Sequence, residues 1–200
     1  MKTYVSISRQ GIKGSVGNGV FERELKEWRK FYREVFGLAF SVEDIKIPKA
    51  LQGFDRVILM AQGLTLDGVY AACAERFPCV RHYTKLNEDI VKNERVPDET
   101  YALRMRGGRE SDKELADFSA DDLREKKIMS ATLLEYLLYQ LKYFNETGEL
   151  LDAKHITLCA GSRYKDGRVP TAISHRGELK IHWCAPHEKN PRLRAREVHV

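Results

Sequence analysis

The chain has 200 residues, a hydrophobic fraction of 42%, and 34 lysines and arginines against 29 aspartates and glutamates. This composition is ordinary for a folded globular protein, and the length suffices for one domain with its own core. No run of 18 apolar residues, no apolar segment of signal-peptide length at the N-terminus and no Cys-x-x-Cys pair are present. We therefore expect a cytoplasmic protein with no membrane contact and no disulfide scaffold.

The first predicted elements are a strand, a glycine-rich loop and a helix. Polar and apolar residues alternate over residues 2–8, which predicts the strand. Apolar residues at helical spacing predict a helix from Phe21 to Phe36, which Gly37 ends. Between the two lie four glycines: Gly11, Gly14, Gly17 and Gly19.

Two further strands are predicted at 57–61 and 79–83, with a helix between them. The unbroken apolar run at 57–61 is typical of a strand buried on both faces of a parallel sheet. Thr65 is the expected N-cap of the helix, and Pro78 follows its end. The alternation of strands and helices predicts an α/β layered sheet within residues 1–100.

The middle of the chain predicts one more strand and a long helix. Residues 101–106 are the strand, and Ser111 and Ser119 are expected to cap short helices. Ser130 is expected to cap the long helix, which Gly148 ends. Its buried stripe is predicted to be Leu134, Leu137, Leu138, Leu141 and Phe144, with Tyr136, Tyr139 and Tyr143 at the side.

The C-terminal segment predicts an antiparallel three-stranded meander. Asp166-Gly167 is a hairpin signal that pairs Tyr164 with Val169. The next turn contains Gly177, and we predict a three-residue loop there because it puts Trp183 opposite Val169 on one apolar face. A two-residue loop would place Leu179 opposite Ser174 and break that face.

The predicted fold class is therefore α/β to α+β. An N-terminal layered sheet of strands and helices is joined to a C-terminal long helix packed on the meander. Residues 1–200 are expected to form a single compact unit, and residues 1–100 and 101–200 are its sub-parts if it divides.

Charge points to a basic C-terminal face. Residues 154–200 carry 10 lysines and arginines against 4 acidic residues, whereas residues 101–153 carry 8 against 11. We expect a non-enzymatic protein, nucleic-acid-associated or regulatory, whose basic C-terminal face contacts nucleic acid or another polyanion. The expected phosphate contacts are Arg163, Lys165, Arg168, Lys180, His182, Arg192, Arg194 and Arg196.

An enzyme acting on a phosphorylated small molecule is the alternative. Its anion loop would comprise Gly14, Gly17 and Gly19, with Gln62 and Thr65 at the end of another strand. The glycine spacing matches neither a Walker A loop nor the G-x-G-x-x-G fingerprint.

No metal and no cofactor are expected. Cys159, His182, Cys184 and His187 are potential zinc ligands. The predicted strand register, however, separates His182 from Cys159 by more than about 13 Å.

Several segments between residues 50 and 200 resemble a group of uncharacterised bacterial proteins. They are Gly53-Phe54-Asp55-Arg56, Ala61-Gln62-Gly63-Leu64-Thr65, Leu141-Lys142-Tyr143-Phe144 with Glu146-Thr147-Gly148, and Thr157-Leu158-Cys159-Ala160-Gly161-Ser162-Arg163-Tyr164 with Asp166-Gly167 and Val169-Pro170. The resemblance implies that residues 50–200 fold together, and it assigns no catalytic residue.

Overall fold

A computed structural model of the chain describes residues 18–39 and 45–200. The chain divides into two compact units, Met1–Ala39 and Phe40–Val200. The boundary therefore lies at residue 39/40 and not near residue 100, since strands from both sides of residue 100 pair within the second unit. The predicted strand at 2–8 and the glycines Gly11, Gly14 and Gly17 lie outside the described residues.

In the first unit, the described residues form helix α1, Asn18–Phe36. The predicted helix is thus confirmed, but it begins earlier, so that Gly19 lies in its first turn and not in a loop. Trp28, Phe31 and Tyr32 are buried, and the rings of Trp28 and Phe31 meet edge to face with centroids 5.5 Å apart. Gly37 follows the helix in the left-handed conformation (φ 65°), as predicted from its position.

Four α-helices and one 3-10 turn belong to the described part of the second unit. Thr65 caps the first of them as predicted, because its hydroxyl accepts a hydrogen bond from Gly68 N. Ser119 likewise forms a capping box with Asp122. The elements are α2 (Leu66–Ala74), α3 (Leu86–Asp89), the 3-10 turn Lys113–Leu115, α4 (Ala120–Glu125) and α5 (Leu133–Thr147).

Nine strands in the described residues form three sheets. The largest sheet is mixed and has the order β2-β8-β7-β5-β9, while β1 pairs with β4 and β3 with β6 in two-stranded sheets. The strands are β1 (Arg56–Met60), β2 (Cys79–Arg81), β3 (Ile90–Asn93), β4 (Tyr101–Met105), β5 (Ile156–Leu158), β6 (Ser162–Tyr164), β7 (Val169–His175), β8 (Glu178–Cys184) and β9 (Leu193–Ala195). The protein is thus a mixed α/β fold.

Strand pairing differs from the prediction in the N-terminal half. The apolar strand β1 does form, but it runs antiparallel to β4, with Ile58 opposite Leu103. The next strand, β2, instead joins β8 in parallel. The described residues therefore contain no layered sheet built from 57–61 and 79–83, although both segments are strands.

The predicted register of the last hairpin is wrong. Arg176 and Gly177 form a two-residue turn with positive φ at both positions (53° and 77°), and β7 and β8 pair with Ser174 opposite Leu179. This is the register that the apolar-face argument rejected. Trp183 consequently lies on the solvent side, 38% exposed, and Cys184 takes the buried place opposite Val169.

The preceding hairpin also differs from its prediction. A turn forms at Asp166-Gly167, with Gly167 at φ 86°, but β6 leaves it to pair with β3. The strand that pairs with β7 is β5, with Leu158 opposite Thr171. The expected three-stranded meander is thus replaced by a five-stranded mixed sheet.

Helix α5 is the centre of the second unit. Thr132, and not Ser130, caps it through a capping box with Glu135, and Gly148 ends it as predicted. Tyr136 and Tyr139 are fully buried, so the helix is covered on all sides in its first ten residues. Its most extensive contacts with other elements are with α2 and β1, where sequence analysis expects the meander.

Candidate anion-binding cavity

A cavity of about 440 Å³ lies in the second unit, where four segments of the chain meet. Its wall is formed by residues that follow α2, by the end of α5 with the loop after it, and by the β7–β8 turn, together with Arg109. Small-molecule sites typically have volumes of about 300–1,000 Å³, so that the cavity has the size of such a site.

Three arginines line this cavity. Arg76 follows α2 and donates to the carbonyl oxygen of Ala72, which fixes its side chain against the end of that helix. Arg109 donates to Leu150 O, and its guanidinium lies 2.9 Å from Glu149 Oε2. Arg176, in the β7–β8 turn, is exposed and has no ion-pair partner among the described residues.

Positive charge therefore predominates in the cavity. Among the described residues of the lining, Glu149 is the one acidic residue, against three arginines. Arg76 has a further carboxylate at 3.6 Å, that of Glu75, whose side chain is largely exposed and thus well screened by solvent.

An apolar surface forms another part of the wall. The rings of Phe77 and Phe144 meet edge to face with centroids 4.8 Å apart, and Pro78 lies beside them in the lining. These residues are brought together because α2 packs on α5 and each ring lies at or near the C-terminal end of its helix. A flat apolar group fits against such a surface.

The wall also contains a buried hydroxyl without a partner. Ser174 lies on β7, and its Oγ is buried and makes no hydrogen bond with any described residue. The hydroxyl is therefore closed off from the open part of the cavity, and the features that the cavity offers a ligand are its arginines and its aromatic surface.

Three of the expected phosphate contacts already have partners within the chain. Lys165 Nζ lies 2.9 Å from Asp89, and Lys180 Nζ lies 3.1 Å from Glu178. Arg168 Nε donates to Asp166 at 2.8 Å, and this contact lowers the pKa of the Asp166 carboxyl to about 2. Their charges are therefore largely compensated before any ligand arrives.

The remaining expected phosphate contacts differ in how exposed their side chains are. His182 and Arg192 are exposed, and Arg192 donates to Lys154 O. Arg194 and Arg163 are half-buried. Arg196 is only 1% exposed and pairs with the buried Asp152, so it belongs to the core and is not part of a phosphate-binding surface.

The alternative anion loop is not assembled by the described residues. Gly19 is helical. Thr65 uses its hydroxyl to cap α2, and Gln62 donates through its side chain to Asp98 O. Within residues 18–39 and 45–200, the strand preceding Gln62 has no parallel neighbour, so these residues form no sheet edge of the α/β type there.

Neither metal ligation nor a membrane segment is indicated. Among residues 18–39 and 45–200, no three His, Cys, Asp or Glu side chains are grouped as a metal ion requires. All four cysteines are free thiols. None of the described helices is both long enough and apolar enough to cross a membrane.

Sequence reasoning missed the residues that line the cavity. They come from four distant segments between residues 76 and 177, and no local pattern links them. The one local signal near the cavity was Gly177, which predicts a turn at this place. The predicted loop has three residues, whereas the turn in the structure has two.

Comparison with known proteins adds no further guide to function. No protein-family model matches the chain, and searches of curated proteins and of solved structures also find no match.

Proposed function

We propose that the protein binds a phosphorylated small molecule with a flat apolar part, of the class that includes nucleoside monophosphates, in the Arg76–Arg109–Arg176 cavity. The observation that supports the proposal is a cavity of about 440 Å³ with an aromatic wall and three arginines in its lining, one of which has no ion-pair partner among the described residues. The proposed ligand is thus of the same class as in the alternative drawn from the sequence, a phosphorylated small molecule, but its proposed site is this cavity and not the glycine-rich loop.

Electrostatics and hydrogen-bond geometry favour a phosphate at the arginine side. A guanidinium presents planar paired donors that match phosphate oxygens, and pairs between charged partners are the stronger hydrogen bonds. Arg176 is exposed, and no described residue forms an ion pair with it, so its guanidinium can meet a ligand. Arg76 and Arg109 are each held by a backbone carbonyl, so less side-chain entropy is lost when they bind.

The aromatic wall favours a ligand larger than an inorganic ion. Phe144 is half-buried and offers apolar surface, and the buried ring of Phe77 packs edge to face against it. The proposal is limited to binding, because the described lining residues include no histidine or cysteine, and the one carboxylate among them, that of Glu149, is paired with Arg109.

The test is isothermal titration with the common nucleoside monophosphates, with the unphosphorylated nucleosides as ligand controls. Arg176→Asn removes the unpaired charge with a residue that tolerates positive φ, and Arg192→Gln removes an exposed arginine outside the cavity. We expect Arg176→Asn to weaken binding by about tenfold or more, since a charge-assisted hydrogen bond contributes about 1.5–3 kcal/mol. Arg192→Gln should change affinity less than about twofold.

Two results would contradict the proposal. One is the absence of binding by every nucleoside monophosphate tested. The other is an affinity that Arg176→Asn leaves unchanged, because the ligand would then bind elsewhere.

A second candidate function is the binding of single-stranded nucleic acid. One observation favours it: the Arg168 guanidinium lies 3.6 Å from the centroid of the exposed Trp183 ring, with His82 and Tyr83 beside it. Stacking of bases on such aromatic and arginine surfaces is the usual mode of sequence-independent binding. It stands second because the lysines expected to contact phosphates are paired with carboxylates.

This second function is tested with fluorescently labelled oligothymidylate at several salt concentrations. Trp183→Ala should weaken binding by about 1–3 kcal/mol per lost base stack, and affinity should fall with salt. Affinity that is equal in Trp183→Ala and wild type would exclude this face.

A further inference from the structure

A smaller cavity of about 90 Å³ lies beside the β3–β6 pair and has a different set of basic residues. Its charged lining residues are Lys92, Glu94, Arg124 and Arg163, and its apolar wall includes Leu123 and Ile128. The volume is far below the range of about 300–1,000 Å³ of sites for drug-sized ligands, and it suits one small ion.

Arg163 is held in this cavity by the backbone and not by a carboxylate. Its Nη1 donates to Ala160 O at 2.6 Å and to Ser162 O at 2.7 Å. Within the described part of the chain, Nε and Nη2 make no hydrogen bond, and the guanidinium has no ion pair. Partial burial lowers the pKa of Arg163, although Glu94 opposes this effect. Neither of these two donors is fully buried, so both can reach an anion that enters the cavity.

The strand register brings a second positive charge to the same place. Lys92 on β3 lies directly opposite Arg163 on β6. Like charges opposite each other on antiparallel strands destabilise the pair. Lys92 has no ion-pair partner among the described residues, and Arg124 adds a third cation, which Asp121 compensates at 2.9 Å. An anion between these strands would relieve the repulsion between Lys92 and Arg163, since Glu94, the one carboxylate among the described lining residues, lies 3.4 Å from Arg95.

The turn that carries Arg163 is rigidly placed. A Cβ at Gly161 would lie 2.7 Å from Ser130 O, so the turn approaches this loop as closely as only glycine allows. Gly161 N donates to Ala131 O, and Leu133 N donates to Ser162 Oγ. The guanidinium is thus positioned before any ligand binds, which reduces the entropic cost of binding.

We propose that the cavity formed by Lys92, Arg124 and Arg163 binds one tetrahedral oxyanion, a phosphate ion or the phosphoryl group of a phosphomonoester. The site is separate from the Arg76–Arg109–Arg176 cavity, and neither depends on the other. Arg163 supplies the fork of donors, and Lys92 supplies a point charge.

The test follows the arginine Nε–H resonances by NMR while inorganic phosphate, or phosphoserine in a second arm, is added at constant ionic strength. We expect a saturable shift of the Arg163 resonance, with an affinity that falls about tenfold in Lys92→Gln. In Arg163→Lys the titration is followed on the Arg124 resonance of the same cavity, and the affinity should also fall about tenfold. Lys113→Gln removes an exposed charge outside the cavity and should leave the affinity within about twofold. The arm with the higher affinity identifies the free ion or the phosphomonoester as the preferred form.

Arg163→Lys keeps the charge, and Lys92 is exposed, so both variants should fold. An Arg163 resonance that does not move in either arm overturns the proposal. A shift that is equally strong in Lys92→Gln and in wild type also overturns it. Arg176→Asn should leave this titration unchanged, which separates failure of this site from failure of the proposed function.

Discussion

Replacing Arg196 should destabilise the protein far more than replacing Arg192, four residues away. Sequence analysis placed both on one exposed surface, where an alanine substitution costs less than about 0.5 kcal/mol. In the structure Arg196 is buried, and its Nη2 lies 2.9 Å from Oδ1 of Asp152, which is itself fully buried. It also donates to Gly108 O at 3.0 Å and to Arg109 O at 2.9 Å.

The expected loss follows from the charge left behind. Removing one partner of a buried ion pair costs about 3–5 kcal/mol, because the other charge stays buried without compensation. Asp152 would keep its hydrogen bonds from Ser111 N and Thr157 Oγ1, both at 2.7 Å, so the lower half of this range is expected for Arg196→Ala. Arg196→Met retains a side chain of similar length and should show a loss of comparable size, which assigns the effect to the charge.

Urea unfolding followed by circular dichroism measures these differences. With an m-value of about 2–3 kcal/mol/M, a loss of about 3 kcal/mol lowers the midpoint by about 1–1.5 M. Arg192→Ala is the matched control and should stay within about 0.5 kcal/mol of wild type, since Arg192 is exposed. Equal stability of Arg196→Ala and Arg192→Ala would refute the buried ion pair.

Three more outcomes are expected. Trp183→Ala should cost about 1 kcal/mol in thermal unfolding, because the ring is 38% exposed; a cost of about 3–5 kcal/mol would indicate a buried ring. Burial raises the pKa of the Cys79 and Cys184 thiols to about 12. Iodoacetamide at a pH of about 8 should therefore label these thiols much more slowly in the native protein than in urea, as measured by mass spectrometry. Equal labelling rates would contradict this. A hydrogen bond from Lys189 lowers the pKa of Asp122 to about 2. The free energy of unfolding that this carboxylate adds is therefore present above its ordinary pKa of 3.8, and it is lost as the pH falls toward 2. Asp122→Asn should therefore show a smaller fall in Tm than wild type between pH of about 4 and 2, and an unchanged fall would count against the Lys189 contact.

Local elements were predictable from the sequence because their signals are local. Thr65 caps α2, Ser119 caps α4 and Gly148 ends α5, as the residue types indicate. The N-cap of α5 differs from its prediction. Thr132 with Glu135 forms the capping box, whereas sequence analysis expects the cap at Ser130, two residues earlier.

The register of β7 with β8 was not predictable by the same means. The argument assumed one apolar face, but β7 is a central strand, and six of its seven residues are buried or half-buried on both faces. A strand buried on both sides carries no alternation from which to read a register. The turn residues did not indicate the two-residue loop either. Such a turn needs positive φ at both positions, and arginine, which occupies the first position here, adopts positive φ only uncommonly.

The pairing of strands that are distant in the sequence was also not predictable. Nothing in the apolar run of β1 shows that its partner is β4, whose sequence is separated from it by α2, β2, α3 and β3. The cavity depends on the same long-range contacts, since Arg76, Phe144 and Arg176 meet only after α2 has packed on α5 and the β7–β8 turn has formed. Its charge and its aromatic wall are therefore properties of the fold and not of any motif.

The most direct measurement of the central claim is a crystal structure of the protein grown with a brominated nucleoside monophosphate. The account predicts phosphate density among Arg76, Arg109 and Arg176, and an anomalous bromine peak beside the Phe77–Phe144 wall. A ligand bound only outside this cavity, or a cavity that stays empty of ligand at saturating concentration, would contradict it.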